Sequence, residues 1–239
     1  MGKFTVIGHR GACAHEPENT LRSVKRAIAD GADMIEIDVR LAGGEIVVIH
    51  DDTLERTTDG SGSIYEKTFD QLRAVDAGKG EQIPNLGEVL ELTLPALPLN
   101  IEIKDTAVTA AVCDLLQSVP DLDPSKIIIS SFHEQATREA RERLPQIPIG
   151  ILAHSKGDTL PPMFALAEEL NAMSVHPHVD SVTTELVSQA HDAGLRVLPY
   201  TARTLEQLDH LLDCGADGCF ADDPAWAREI ATSRIATGG

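Results

Sequence analysis

The chain runs to 239 residues, with 38 acidic against 20 basic side chains and a net charge of −18. That length suits one barrel-sized domain or two small ones. A field of that sign repels nucleic acid and anionic membrane surfaces, and an anionic small substrate would need local Arg, Lys or metal charge to overcome it. The four cysteines, Cys13, Cys113, Cys214 and Cys219, make no Cys-x-x-Cys pair and are too sparse for a disulfide scaffold. No run is apolar for long enough to span a bilayer and none reads as a secretory leader. Reduced thiols, a cytoplasmic location and no stable membrane association are the resulting expectations; a homo-oligomer is compatible with them.

Short apolar runs alternate with amphipathic stretches along the chain. Strands are predicted over Phe4–Gly8, Met34–Asp38, Leu99–Ile103, Ile127–Ser131, Ile149–Leu152, Ala172–Val175, Arg196–Tyr200 and Gly218–Ala221. Helices are predicted to begin near Asn19, Leu86, Thr106, Glu134, Leu160, Thr183, Thr204 and Pro224. In the first of them Leu21, Val24 and Ile28 share one face. Asn19 and Thr204 suit N-caps, Pro224 suits a first turn, and Gly31, Gly194 and Gly215 suit helix ends. Eight strand–helix units in this length predict a single (β/α)8 TIM barrel spanning 1–239. A doubly wound open sheet is the rival, and it usually needs fewer strands.

One stretch, about 41–83, breaks the rhythm as a small insertion after the second strand. Gly43-Gly44 is a turn signal, so Glu45–His50 should fold back on Val39–Leu41 as a hairpin. That register sets His50 across from Ile37, between Glu36 and Asp38. The remainder, with Gly60, Gly62, Gly78 and Gly80, reads as loop and is expected at the C-terminal mouth of the barrel as a rim or partial lid.

Two strand candidates carry charge where a plain core strand would not: Met34-Ile35-Glu36-Ile37-Asp38-Val39 and Leu99-Asn100-Ile101-Glu102-Ile103-Lys104. Side chains alternate across a strand. The Ile faces then suit the outer helices, and Glu36, Asp38, Glu102 and Lys104 point into the barrel. An antiparallel sheet with one wet face would show the same alternation, but barrel strands have no wet face. Three converging carboxylates must bind a cation or take up protons, and Lys104 alone cannot balance them. An all-oxygen set of Glu36, Asp38 and Glu102 fits a divalent cation, Mg2+ or Ca2+, rather than zinc. A network neutralised by Arg10 and Lys104 alone is the competing reading.

His9-Arg10-Gly11 ends the first strand, where barrel active sites lie, and Gly11 is expected to allow close backbone approach to a ligand. With His50 arriving from the hairpin, two histidines, Arg10, Lys104 and a cation make a set suited to phosphate-ester hydrolysis. Other residues read more plainly. His176-Pro177-His178 lacks a carboxylate partner for a second metal site. His15, His154, His191 and His210 read as surface or structural, Cys13 has no activator, and Trp226 packs the last helix.

In order and spacing, His9-Arg10-Gly11, Glu18-Asn19-Thr20, Glu36-x-Asp38, His50-Asp51 and Glu102-x-Lys104, with Ser131-Phe132 and Gly215-Ala216-Asp217-Gly218 later, resemble the glycerophosphodiester phosphodiesterase family. The resemblance covers nearly the whole chain. It implies a barrel with an insertion after the second strand that uses a divalent metal to hydrolyse a glycerophosphodiester to glycerol 3-phosphate and an alcohol. It also implies His9 and His50 as the acid/base pair, Glu36, Asp38 and Glu102 as metal ligands, Arg10 and Lys104 on the phosphate, and Glu18 as a substrate or supporting contact, although a helix-start role suits Glu18 equally. Direct attack by water and prior attack by the neighbouring glycerol hydroxyl both fit. A phospholipase-D-like reaction and a non-catalytic phosphodiester-binding barrel are the alternatives. The chain departs from the family at Tyr200-Thr201-Ala202, at Ala221-Asp222 and at His133, positions expected to bear on the leaving group rather than the core reaction. Phe132 and Tyr200 are expected to line the substrate wall.

Overall fold

The computed structural model describes residues 3–153 and 160–237, so the reading of His154 lies outside the described residues. Nine strands form one sheet. They are β1 (Thr5–Gly8), β2 (Met34–Ala42), β3 (Glu45–Val48), β4 (Leu99–Ile103), β5 (Ile127–Ser131), β6 (Ile149–Leu152), β7 (Ser174–His176), β8 (Arg196–Val197) and β9 (Gly218–Ala221). All but β3 pair in parallel, in the order β8-β7-β6-β5-β4-β2-β1-β9. The ring is closed by Asp217 N–H to Val197 O (3.0 Å) and Phe220 N–H to Pro199 O (2.9 Å), followed by an Ala202–Ala221 bridge. The eight-stranded (β/α)8 barrel is therefore present. Its β8 is shorter than the predicted run, which continues as isolated bridges.

Outside the ring lie α1 (Leu21–Ala29), α3 (Leu86–Thr93), α4 (Thr109–Ser118), α5 (Glu134–Arg143), α6 (Leu160–Glu169), α7 (Thr184–Asp192), α8 (Leu205–Cys214) and α9 (Pro224–Thr237). Thr204 caps α8 through its hydroxyl, and Pro224 opens α9, as the local chemistry dictates. The α1 cap differs from expectation: Thr20, not Asn19, accepts the Ser23 N–H. Asn19 is drawn away by a stronger demand inside the barrel.

The alternation in β2 and β4 sorts as predicted. Ile35, Ile37, Val39, Leu99, Ile101 and Ile103 join one core with helix residues such as Val24, Val89 and Val112. Inside the ring a separate apolar plug of Ile7, Met34, Ile128, Leu198 and Phe220 fills the interior. Met34 shares its β2 face with Glu36 and Asp38, so the charged residues stand on an apolar floor.

The insertion carries more structure than a rim of loop. The hairpin pairs Val39 with Val48 and Ala42 with Glu45, and Ile49 N–H reaches Asp38 O at 3.0 Å, the predicted register. Ile46 and Val48 join the main core, while Val47 and Ile49 on the other face join Leu54, Ile64, Leu72, Ala77 and Ile83 in a second small core. A short helix, α2 (Phe69–Arg73), closed by a Thr68/Gln71 capping box, completes it.

Gly11 makes a close approach to α1. It has φ +82°, and a Cβ there would lie 2.3 Å from Ser23 Oγ and 2.5 Å from Ser23 C on α1. Gly11→Ala should therefore cost about 2–3 kcal/mol, or roughly 5–10 °C in Tm for a chain of this length; an unchanged melting curve by circular dichroism would contradict this packing.

Candidate active site

The mouth of the barrel is built from strand ends. Glu36 and Asp38 project inward from β2, and Glu102 from β4. One oxygen of each lies within 4.8 Å of the others. Glu36 and Asp38 are 1% exposed, and the Glu102 side chain is only 12% exposed. Like charges this close and this dry cannot all be ionised alone. Asp38 is the carboxylate that both local cations approach. Arg10 Nε lies 3.2 Å from its Oδ2 and Lys104 Nζ 3.5 Å from its Oδ1, while Asn19 Nδ2 donates to Oδ2 at 2.8 Å and Asp38 N–H donates to Asn19 Oδ1 at 3.1 Å. Burial opposes ionisation of Asp38, but Arg10 and Lys104 outweigh it and hold the carboxyl down at about 2.

The other two carboxyls move the opposite way. Burial, then repulsion by Asp38, pushes Glu102 up to about 7 despite the Lys104 Nζ bond at 2.6 Å. Burial, then Asp38 and Glu102, raises Glu36 well above the usual range. Glu36 Oε2 accepts the Arg10 backbone N–H at 2.9 Å, but its buried Oε1 has no hydrogen-bond partner. An orphaned buried carboxylate oxygen beside two others is a donor set that fits a hard divalent cation.

The two histidines stand at this cluster in matching fashion. His9, just past β1, sets Nδ1 against Asp222 Oδ1 at 2.6 Å, and His50, just past β3, sets Nδ1 against Asp51 Oδ1 at 2.5 Å. In each ring a carboxylate on Nδ1 leaves Nε2 for proton transfer. Burial lowers the His50 pKa, with Asp38 pulling the other way and Arg10 and Lys104 adding to the fall.

Two expectations change. Asp222, taken as bearing on the leaving group, instead contacts His9. Asn19, taken as a cap, clamps Asp38. Neither has a local signal: Asp222 is 213 residues from His9, and Asn at a helix start is the ordinary cap choice. Its left-handed φ of 58° is the backbone trace of the other role.

Arg10 also bonds Glu18 Oε1 at 2.7 Å, so Glu18 holds Arg10 from its far side. Phe132 and Tyr200 stack edge to face with centroids 5.6 Å apart, and Lys104 Nζ lies 5.7 Å from the Phe132 centroid. The Tyr200 hydroxyl is committed to Ala153 O at 2.7 Å. His176 does not reach the mouth; it is fully buried against Ser174 Oγ (2.8 Å), and burial lowers its pKa to about 3, so it stays neutral. Cys13 is no nucleophile, since burial and then Asp222 push its pKa up.

The sequence profile of the glycerophosphoryl diester phosphodiesterase family matches residues 9–226. The chain belongs to this family. It is 36% identical to the glycerophosphodiester phosphodiesterase of Caldanaerobacter subterraneus subsp. tengcongensis over 93% of this chain and 95% of that one. Among solved structures, a phosphodiesterase from Oleispira antarctica in complex with the product sn-glycerol-3-phosphate superposes with a TM-score of 0.87 at 32% identity, covering 95% of this chain and 96% of that one. A glycerophosphodiester phosphodiesterase from Thermotoga maritima, at 25% identity, gives 0.82 over 96% and 99%. Family members are metal-dependent, consistent with the acidic cluster. Among the described residues no helix is long and apolar enough to cross a membrane.

Asn19→Ala should strip Asp38 of both amide contacts and force alanine to hold a positive φ. The expected loss is about 2–4 kcal/mol, from two hydrogen bonds to a buried group and the backbone strain. Urea unfolding that shows a change below 0.5 kcal/mol, a threshold within ordinary surface effects, would refute the clamp.

Proposed function

We propose that this protein hydrolyses glycerophosphodiesters to glycerol 3-phosphate and an alcohol, with His9 and His50 as the acid/base pair. The observation that carries the reading is the placement of both imidazoles, each with a carboxylate on Nδ1, at the rim of a buried three-carboxylate cluster. Glu36, Asp38 and Glu102 would hold a divalent cation, Mg2+ or Ca2+. When bound, the cation supplies positive charge that polarises a phosphoryl oxygen.

The chain's own groups perform the rest. One imidazole Nε2 accepts the proton of the attacking group, water or the neighbouring glycerol hydroxyl, and the other donates to the leaving alkoxide; by the second route a cyclic phosphate forms and water then opens it to glycerol 3-phosphate. Arg10, held by Glu18 through Nη1 and by Asp38 beside Nε, would set its positive charge against a phosphoryl oxygen. Lys104 offers a second positive charge beside it. Phe132 and Tyr200 form an aromatic wall next to Lys104 that would orient the alcohol side. The four free cysteines suit a reducing compartment, the cytoplasm.

The direct test is release of glycerol 3-phosphate from a panel of glycerophosphodiesters, with and without chelator. Turnover that chelation abolishes is expected; no turnover on any member with metal supplied would sink the reading. His9→Ala or His50→Ala should lower kcat by roughly 10^2 to 10^4, the range for a general acid or base, whereas wild-type rates would remove that residue from the mechanism.

Binding of the cation should also release protons near pH 7. Glu102, pushed up to about 7, is partly protonated there and gives up that proton to an incoming cation, and the upward shift of Glu36 acts in the same direction, so affinity should weaken as pH falls from 8 to 6. Titration calorimetry in two buffers of different ionisation enthalpy reads the proton count directly, and a heat independent of buffer would count against these ligands. In Glu36→Ala the metal heat should disappear.

A further inference from the structure

The two histidine–aspartate pairs share a third member. Asp222 Oδ2, the oxygen not used by His9, accepts from Arg203 Nε at 2.6 Å. Asp51 Oδ2, the oxygen not used by His50, accepts from Arg56 Nε at 2.5 Å. Imidazole Nδ1 on one carboxylate oxygen and arginine Nε on the other is thus built twice from unrelated parts of the chain, with Arg56 Nη2 reaching Asp51 Oδ1 as well at 3.0 Å. Arg203 lies just before α8 and is held by its own N–H to Gln207 Oε1 at 3.0 Å. Arg56 lies in the insertion and spans further, with Nη1 and Nη2 on Glu18 at 2.8 and 2.9 Å. Glu18 in turn holds Arg10.

We propose that Arg56 and Arg203 are positioning residues, each locking the aspartate that orients a catalytic histidine. The proposal rests on the functional reading above for the word catalytic, but the geometry stands without it. A carboxylate with one free oxygen can rotate and offer either lone pair to the ring. Pinning the second oxygen fixes which way the imidazole faces, and so where Nε2 points. Arg56 also keeps Asp51 ionised, well below the usual carboxylate range, chiefly through its hydrogen bonds; Asp222 is likewise held low against burial, by His9 first and then Arg203. An aspartate that stays ionised keeps the Nδ1–H tautomer and leaves Nε2 free to take a proton.

Folding alone gives little reason for these contacts. The Arg203 and Arg56 side chains are 57% and 47% exposed, and exposed ion pairs contribute little to stability. Arg138, 41% exposed and paired with Glu134 and Glu169 on the outer helices, is a matched surface pair with no histidine behind it.

The experiment has two arms. In the first, nitrogen NMR of the histidine side chains in the resting protein reads tautomer and ring environment without turnover. Arg56→Ala should shift the His50 signals and leave those of His9, and Arg203→Ala should do the reverse; signals unmoved in both variants would overturn the proposal whatever the substrate proves to be. In the second, each Arg→Ala variant should lose roughly 10-fold in kcat, the size of effect seen when a supporting contact is removed, with KM within twofold. Arg→Lys should restore most of the loss by keeping the charge on the aspartate, and Arg138→Ala should leave kcat alone. A kcat within twofold of wild type would reduce the two arginines to surface pairs. A raised KM with kcat intact would make them substrate contacts, and a loss that lysine does not recover would make them structural; each result overturns the proposal. A wild-type protein that turns over no phosphodiester fails the functional reading and leaves the NMR arm to decide this one.

Discussion

The structure depends on a charge imbalance held in a dry place. Glu36, Asp38 and Glu102 meet inside the barrel mouth with Arg10 and Lys104 as the nearby cations. Three negative charges against two positive leave one unpaid. Burying an unpaired ion costs several kcal/mol even after relaxation, so the cluster divides its resources unequally. Asp38, with Arg10, the Asn19 amide and a share of Lys104, stays ionised; Glu102 is pushed up to about 7 even with Lys104 bonded to it, and Glu36 is raised well above the usual range. The site is therefore strained toward accepting one more positive charge, and the unpartnered Glu36 Oε1 marks where that demand is greatest. Arrangements of this kind are poor choices for stability and good ones for binding a cation.

The barrel makes this tolerable by sorting side chains. Alternation sends the isoleucines of β2 and β4 out to the helices and the charges inward, and the apolar plug beneath them closes the interior. A low-dielectric floor strengthens every interaction at the mouth, the attractive and the repulsive alike. The neutral, fully buried His176 shows the same rule applied to an imidazole. A histidine inside the ring has, among the described residues, no carboxylate beside it, while His9 and His50 at the rim each have an aspartate on Nδ1.

What the sequence made legible follows from periodicity and from turns. Period-two alternation marked the charged faces, Gly43-Gly44 placed the hairpin, and counting residues from that turn put His50 opposite Ile37. What it hid was tertiary. Asp222 bonds His9 across almost the whole chain, and only closure of the ring at β9 and β1 brings them together. Asn19 was ambiguous because a short amide caps a helix and clamps a carboxylate with the same atoms; which demand wins depends on the buried Asp38 behind it. The insertion read as loop because Leu54, Ile64, Leu72, Ala77 and Ile83 follow neither strand nor helix spacing, and their common core appears only once they pack on Val47 and Ile49.

That second core bears on how the two histidines are held. His9 is fixed by a barrel strand and the ring that contains it. His50 is fixed by β3, a strand that pairs with β2 on one edge, makes a single bridge from Val47 to Asn85 on the other, and has its two faces buried in different cores. Its position is therefore a joint property of the barrel, which sets the register, and of the insertion, which holds the outer face. Segments with few partners open locally at lower free energy than the core they attach to, so the insertion is where His50 can be loosened without unfolding the barrel. Arg56 comes from that same segment and ties Asp51 back to Glu18 on the β1–α1 loop. The tie thus runs from the aspartate beside His50 to the loop that follows β1, so the insertion and the barrel together hold that aspartate in place.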